Sequence, residues 1–355
     1  MRAVTVRPGR QDAVEVRDVP DPAPGAGELL VEGVAAGVCG TDLDIVAGDY
    51  GWAPPGRDRL VLGHESLGRV RHAPDGSGFA PGDLVAGVVR HPDPEPCGAC
   101  AHGQPDMCRN GRYTERGIKE RDGFAAELWC VEPSCAVRLD PCLARGGVLI
   151  EPGSVVAKAW EQVERVGARA WFEPRRVLVT GAGPIGLLAA LFSVRRGLVT
   201  HVLDRVTDGP KPALVRDLGA EYHTGDIADV LAAVRPDVVI EATGAGPLVL
   251  GVLTGTDAYG IVCLTGVAPA GRDLTVDAGA VGRDLVLGNR AVVGSVNGNV
   301  RHFRQAADTL AAADQDWLER VITRRVPLDR AADAYAAARS GADVKVVIDL
   351  DPSAS

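Results

Sequence analysis

The run Val177-Leu178-Val179-Thr180-Gly181-Ala182-Gly183-Pro184-Ile185-Gly186-Leu187-Leu188 constrains this chain more than any other stretch. A short β-branched strand enters a glycine turn and leaves as an apolar helix with proline near its start. In that context a G-x-G-x-x-G pattern binds a dinucleotide. Gly181 allows the tight turn, Gly183 lets backbone approach a pyrophosphate, and Gly186 lets helix and strand pack closely. Pro184 and Ile185 open a helix whose free N–H groups favour phosphate. A second strand, Val199-Thr200-His201-Val202-Leu203, ends at Asp204, 23 residues after Gly181, where a carboxylate bonds the ribose hydroxyls. Arg205 follows and pulls toward a 2′-phosphate, but Val206 comes next, so no second basic residue offsets the carboxylate. The expectation is NAD in preference to NADP.

At 355 residues the chain is too long for one ordinary core, which predicts two domains. A net charge of −9 argues against a general nucleic-acid binder, which carries a basic face. No apolar run reaches the length of a membrane span, and Met1-Arg2-Ala3-Val4-Thr5-Val6 reads as a strand start with no signal core. Without a secretion signal, the 8 cysteines are expected to be thiols or metal ligands in a reducing cytoplasm.

Up to about residue 92 the chain reads as short strands punctuated by glycine and proline, the pattern of a small barrel. Two clusters interrupt it, Gly37-Val38-Cys39-Gly40-Thr41-Asp42 and Gly63-His64-Glu65-Ser66. Thiolate, imidazole and carboxylate are the ligand types zinc prefers. Further on, Cys97-Gly98-Ala99-Cys100 and then Cys108 form a structural-zinc signature one ligand short of a closed site. The polar, glycine-punctuated stretch from Tyr113 to Glu127 suits a loop that lines a pocket for a hydroxylated ligand. At Leu149-Ile150-Glu151-Pro152 a strand end is expected to yield to a helix over roughly 155–166, with Glu151 alone among apolar residues. Strands at 237–244, 260–266 and 291–295 continue a parallel, doubly wound sheet. The candidate cofactor contacts are Gly181, Gly183, Pro184, Ile185, Gly186, Asp204, Arg205, Thr243, Gly244, Thr265, Gly266, Ser295, Val296 and Asn297. Helices follow from about Asn299, and a strand at 344–348 closes the chain.

With these motifs in view, the chain resembles the zinc-dependent medium-chain dehydrogenases, and within them the microbial glucose dehydrogenases. Glu115-Arg116-Gly117-Ile118 and Val296-Asn297-Gly298 narrow the resemblance to the sugar-oxidising branch. It implies an α/β architecture, with a GroES-like β-barrel catalytic domain from residues 1–153 and 302–355 and a Rossmann doubly wound domain over 154–301. It implies a catalytic zinc held by Cys39, His64 and Glu151, with Glu65 as a fourth or alternating ligand, and Thr41 bonding the reacting hydroxyl. Glu115, Glu151 and Asn297 would meet sugar hydroxyls, and Lys345 would approach the cofactor phosphates. Family members with a full structural-zinc lobe carry a cysteine where this chain has Pro94, so Asp93 or, second to it, His91 completes the lobe, or the second zinc is lost. The implied activity is zinc-dependent hydride transfer from an aldose C1 hydroxyl, most simply glucose, to NAD. The alternatives are a cyclitol, polyol or modified sugar as substrate, or a cofactor-binding protein without catalysis. A homodimer or homotetramer is expected, because the last strand of the sheet would otherwise leave an apolar edge unpaired.

Overall fold

A computed structural model of the protein describes residues 1–11, 13–267 and 273–351. The chain divides into two compact units, residues 1–154 with 297–355, and residues 155–296.

The spine of the first unit is the strand Leu29–Val38, whose β-branched and small residues let it pair on both sides. Glu65–His72 runs antiparallel along one side, with Gly37 opposite Glu65. Lys345–Asp349 runs antiparallel along the other, with Val346 opposite Val38. Residues from the two ends of the sequence thus meet at Gly37 and Val38. A Cβ on Gly37 would fall 1.9 Å from Glu65 Oε2, so glycine there lets the carboxylate lie across the strand. Leu29, Val31, Val70, Val85, Phe124 and Trp129 fill the core beneath, the last two rings edge to face at 4.8 Å.

Among its described residues the second unit holds six parallel strands. Numbered in chain order they lie 3-2-1-4-5-6: Glu221–His223, Val199–Leu203, Arg176–Thr180, Val238–Glu241, Ile261–Leu264, Ala291–Gly294. The order reverses between the first and fourth strands, and ligands of doubly wound sheets bind outside the strand C-termini at that point. Leu178, Leu203, Val239 and Val262 pack with Val230, Leu231 and Val252 from the covering helices.

One local expectation is corrected, and two strands were not foreseen. Leu149 does not end a strand: the helix begins at Ile150 and runs to Gly167, since a proline at 152 lies in the first turn, where its missing N–H costs nothing. The strand Glu221–His223 is too short to show a period. Ile322–Pro327 carries two adjacent arginines and a terminal proline, which hide an edge strand from pattern reading.

Candidate functional site

In the first unit the ligand atoms of Cys39, His64 and Glu65 lie within 4.8 Å of one another. Cys39 is the N-cap residue of the helix Gly40–Ala47, which buries Asp42, Ile45 and Val46. Asp42, fully buried in that helix, holds two members at once: Oδ2 accepts the Cys39 N–H at 2.9 Å, and Oδ1 lies 3.3 Å from His64 Nδ1. A carboxylate on one imidazole nitrogen leaves the other for a metal and fixes the ring. Burial alone would lower the His64 pKa, yet the Asp42 carboxylate and Cys39 raise it well above the ordinary value. A sulfur, an imidazole and a carboxylate converging in a buried site fit a zinc ion. Thr41 is half-buried in the first turn of the same helix.

Glu151 is buried in the first turn of its helix, within the electrostatic reach of His64, Glu65 and Lys345 but outside the 4.8 Å group. Burial, with the nearby Glu65 and Asp42 charges, pushes its carboxyl up to about 7. Lys345 is redirected: rather than serving cofactor phosphates, its buried ammonium pairs with the Glu65 carboxylate and donates to the Val38 carbonyl at 3.1 Å. The physical reason is the pairing of Lys345–Asp349 with Leu29–Val38, which delivers that side chain beside the carboxylate its charge needs once buried.

A second group forms around Glu115. Arg90 Nε and Nη2, both at 2.9 Å, and Asn297 Nδ2, at 2.8 Å, converge on its Oε1. Asn297 adopts φ 63° and its Oδ1 accepts the Gly298 N–H, so the amide is engaged by Glu115 and its own turn. Arg90 also stacks 3.8 Å over Tyr113 and donates to the Asp106 carbonyl at 3.2 Å, tying Glu115 to the cysteine lobe. Beside this loop Trp52 N–H donates to the Ile118 carbonyl, and Tyr50 and Trp52, 41% and 46% exposed, meet edge to face. Exposed aromatic rings next to buried polar groups form a surface on which a sugar ring can stack.

In the lobe, Cys97, Cys100 and Cys108 gather within 4.8 Å, and the first two sulfurs are 3.7 Å apart. Two thiolates sharing a tetrahedral zinc are roughly 3.8 Å apart, given Zn–S bonds of about 2.3 Å. The N–H groups of Arg109 and Cys100 hold the Cys97 thiol down to about 6. Asp93 is buried outside that 4.8 Å group, with Oδ1 accepting the Glu95 N–H at 2.8 Å, while Oδ2 has no hydrogen-bond partner and lies 3.6 Å from Arg112 Nε. His91 instead joins Glu132 and Cys135.

In the second unit the helix Pro184–Arg195 starts at the glycine turn. A Cβ on Gly186 would lie 1.8 Å from the Gly181 carbonyl oxygen, whereas one on Gly183 meets nothing within 4 Å, leaving the cradle open. Asp204 accepts the Ala182 N–H at 2.6 Å and the Val206 N–H at 3.0 Å. Burial works against its charge, but those N–H groups and Lys211, 3.3 Å away, hold its carboxyl below the usual range. Arg205 is exposed beside it. Thr243, Gly244, Thr265 and Gly266 follow the fourth and fifth strands and cluster on the buried Glu241, whose carboxylate takes the Thr243 and Gly244 N–H groups and whose carbonyl takes Thr265 Oγ1. Buried Ser295 Oγ has no hydrogen-bond partner, and Val296 is exposed.

The description "Alcohol dehydrogenase GroES-like domain" matches residues 25–141, and "Glucose dehydrogenase C-terminus" matches residues 144–350. A glucose 1-dehydrogenase of Methanocella arvoryzae is 40% identical over 359 residues, covering 99% of each chain. One from Thermoproteus tenax is 40% identical over 356 residues, again covering 99% of each. The chain belongs to the zinc-dependent medium-chain dehydrogenases, in their glucose dehydrogenase branch. The solved glucose dehydrogenase of Haloferax mediterranei, in complex with NADP, Zn and gluconolactone, superposes with a TM-score of 0.90 at 33% identity, over 98% of this chain and 99% of that one. As a medium-chain dehydrogenase, this protein is an NAD(P)-dependent oxidoreductase of the alcohol and sugar type. Among the described residues no helix is long and apolar enough to cross a membrane.

Sequence reading missed several participants in these groups. Asp42 stood inside a quoted motif without a role, and its pairing with His64 is a contact between distant segments. Arg90 and Lys211 are single basic residues with no motif around them. Tyr50 and Trp52 did carry a signal, two aromatics in the glycine-flanked run Gly48-Asp49-Tyr50-Gly51-Trp52.

Proposed function

We propose that the chain oxidises the C1 hydroxyl of an aldose of the glucose type to the lactone, with residues 1–154 and 297–355 as catalytic domain and 155–296 as nucleotide domain. The observation that carries this reading is the hydrogen bond between Glu115 and Asn297, which joins the two motifs of the sugar-oxidising branch in a buried polar group. Cys39, His64 and Glu65 hold the catalytic zinc, and Glu151 supplies a further carboxylate. Bound there, zinc acts as a Lewis acid that lowers the pKa of the reacting hydroxyl. Thr41 accepts the hydrogen bond of that hydroxyl and passes its proton outward as the C1 hydride leaves for the nicotinamide. Arg90 and Asn297 fix the Glu115 carboxylate to receive a neighbouring sugar hydroxyl, so Glu115 orients the ring rather than the metal. Asp93 completes the cysteine lobe.

For the cofactor we propose NAD over NADP, by a narrower margin than Asp204 alone would impose. The carboxylate is fixed and charged where a 2′-phosphate would lie, and like charges repel at close range. Lys211 was not foreseen, and with Arg205 it offers that phosphate two cations. The relatives of known structure from Haloferax mediterranei and Sinorhizobium meliloti hold NADP, so the preference rests on Asp204 alone.

A panel of aldoses, polyols and cyclitols assayed with both cofactors tests the reading. Glucose-type aldoses should lead with NAD ahead by roughly tenfold in kcat/KM, about 1.4 kcal/mol. Glu115→Gln should lower kcat/KM for sugars without changing zinc content. Asp204→Asn should shrink the cofactor ratio. A cyclitol as best substrate overturns the aldose assignment, and a ratio favouring NADP, or unmoved by Asp204→Asn, overturns the cofactor assignment.

We also propose a dimer or a dimer of dimers. The strand Ala291–Gly294 ends the sheet with Val292 partly exposed, and Val286 and Leu287 are 73% and 75% exposed nearby in sequence. Such an apolar edge is protected by pairing with a second copy. Light scattering at micromolar concentration should give at least twice the chain mass; a monomer rejects the proposal.

A further inference from the structure

The opposite edge of the six-stranded sheet carries a cluster that no step of hydride transfer uses. Glu221–His223 pairs in parallel with Val199–Leu203, placing Glu221 beside His201 and His223 beside Leu203. Residues two apart on a strand share a face, so His201, Glu221 and His223 converge. His201 Nδ1 is 2.9 Å from His223 Nε2 and 3.3 Å from Glu221 Oε2, and His223 Nε2 is 3.7 Å from Glu221 Oε1. Ligands at about 2.0–2.2 Å from a shared ion lie roughly 3–3.5 Å from one another. The rings are largely covered, with side-chain exposures of 11% and 18%, while Glu221 is 65% exposed, so an ion has an open approach.

We propose that His201, Glu221 and His223 form a binding site for a divalent transition-metal ion on the second unit, separate from the Cys39 and Cys97 groups. Two imidazoles and one carboxylate suit zinc, nickel or copper and disfavour calcium and magnesium, which take oxygen ligands. Arg176, whose charge acts on His201, is itself paired with Asp257 at 3.9 Å. The comparable trio His91, Glu132 and Cys135 is different: Arg121 holds Glu132 Oε1 at 2.7 Å and Arg116 lies 4.0 Å from Oε2, and these guanidinium charges oppose a cation.

The position has a consequence for the cofactor cradle. The Asp204 N–H donates to the His223 carbonyl at 3.1 Å, and the Gly181 N–H donates to the Leu203 carbonyl at 2.7 Å. An ion joining His201 to His223 therefore ties Glu221–His223 to Val199–Leu203, the strand that ends at Asp204 and whose last carbonyl holds the Gly181 N–H.

Nickel is the probe of choice, since it prefers nitrogen ligands and the thiolate groups retain zinc. Calorimetric titration with Ni²⁺ of protein carrying zinc only at its cysteine-containing sites should show one equivalent taken up per chain, with that zinc unchanged. His201→Ala and His223→Ala should each weaken that uptake at least tenfold, and Glu221→Gln, the mildest change at an exposed position, should weaken it less. Near-wild-type circular dichroism spectra should accompany these losses. Wild-type protein that takes up no Ni²⁺, or variants that take it up with unchanged stoichiometry and affinity, would overturn the site.

Discussion

Cys39→Ala and His64→Ala should each lose the catalytic zinc and at least roughly a thousandfold of turnover, the several kcal/mol that a Lewis acid contributes to such a transition state. The two side chains come from different segments, the N-cap of Gly40–Ala47 and the residue before the strand Glu65–His72; Cys39 is half-buried and His64 is buried. Cofactor binding should survive, because the glycine turn and Asp204 belong to the other unit. Asp42→Asn leaves all the ligands in place but weakens the orientation of His64, and should cost only about 10–100-fold in metal affinity. Metal analysis with equilibrium NAD titration checks all three. Wild-type zinc content in both alanine variants would show that the ligand assignment is wrong. Metal remaining in them at the level expected of one site, and lost when Cys97→Ser is added, identifies the Cys97, Cys100 and Cys108 lobe as its holder.

Lys345→Ala should destabilise the fold by about 3–5 kcal/mol, the usual result of stripping one partner from a buried ion pair. Lys345 and Glu65 are 2% and 1% exposed, so solvent does not screen the charge that is left behind. The Val38 carbonyl loses its donor as well, at the point where the two ends of the sequence meet. Denaturant unfolding should show the loss as a lower midpoint at unchanged slope. The affinity for NAD and NADP should stay within about twofold, because this ammonium faces the barrel strands. A variant of wild-type stability that binds cofactor tenfold more weakly would falsify this placement and restore a phosphate role.

What was legible in the sequence was local. The glycine turn, the strand before it and the helix after it are contiguous, and the constraint at Gly186 is set by a carbonyl only five residues away. Cys97, Cys100 and Cys108 likewise converge because they lie on adjacent turns of one lobe. The family resemblance carried Cys39, His64, Glu65, Glu115 and Asn297 further than spacing could.

Long-range register decided the rest. A one-residue slip between Leu29–Val38 and Lys345–Asp349 would turn Lys345 to the opposite face of the sheet, and nothing in either segment alone reports the pairing. The same holds for Arg90 on Glu115 and Asp42 on His64, where isolated charges find partners through strand pairing or loop return. Glu221–His223 is the clearest case: three residues are too few to show a period, yet beside Val199–Leu203 they set two histidines and a glutamate on one face. The sequence by itself determined the class of fold and the chemistry of the ligands, because motifs are contiguous and their physics is local. Only the tertiary structure decided which buried charges answer one another, because a charge removed from water is stabilised by whatever lies within a few ångströms of it, regardless of distance along the chain.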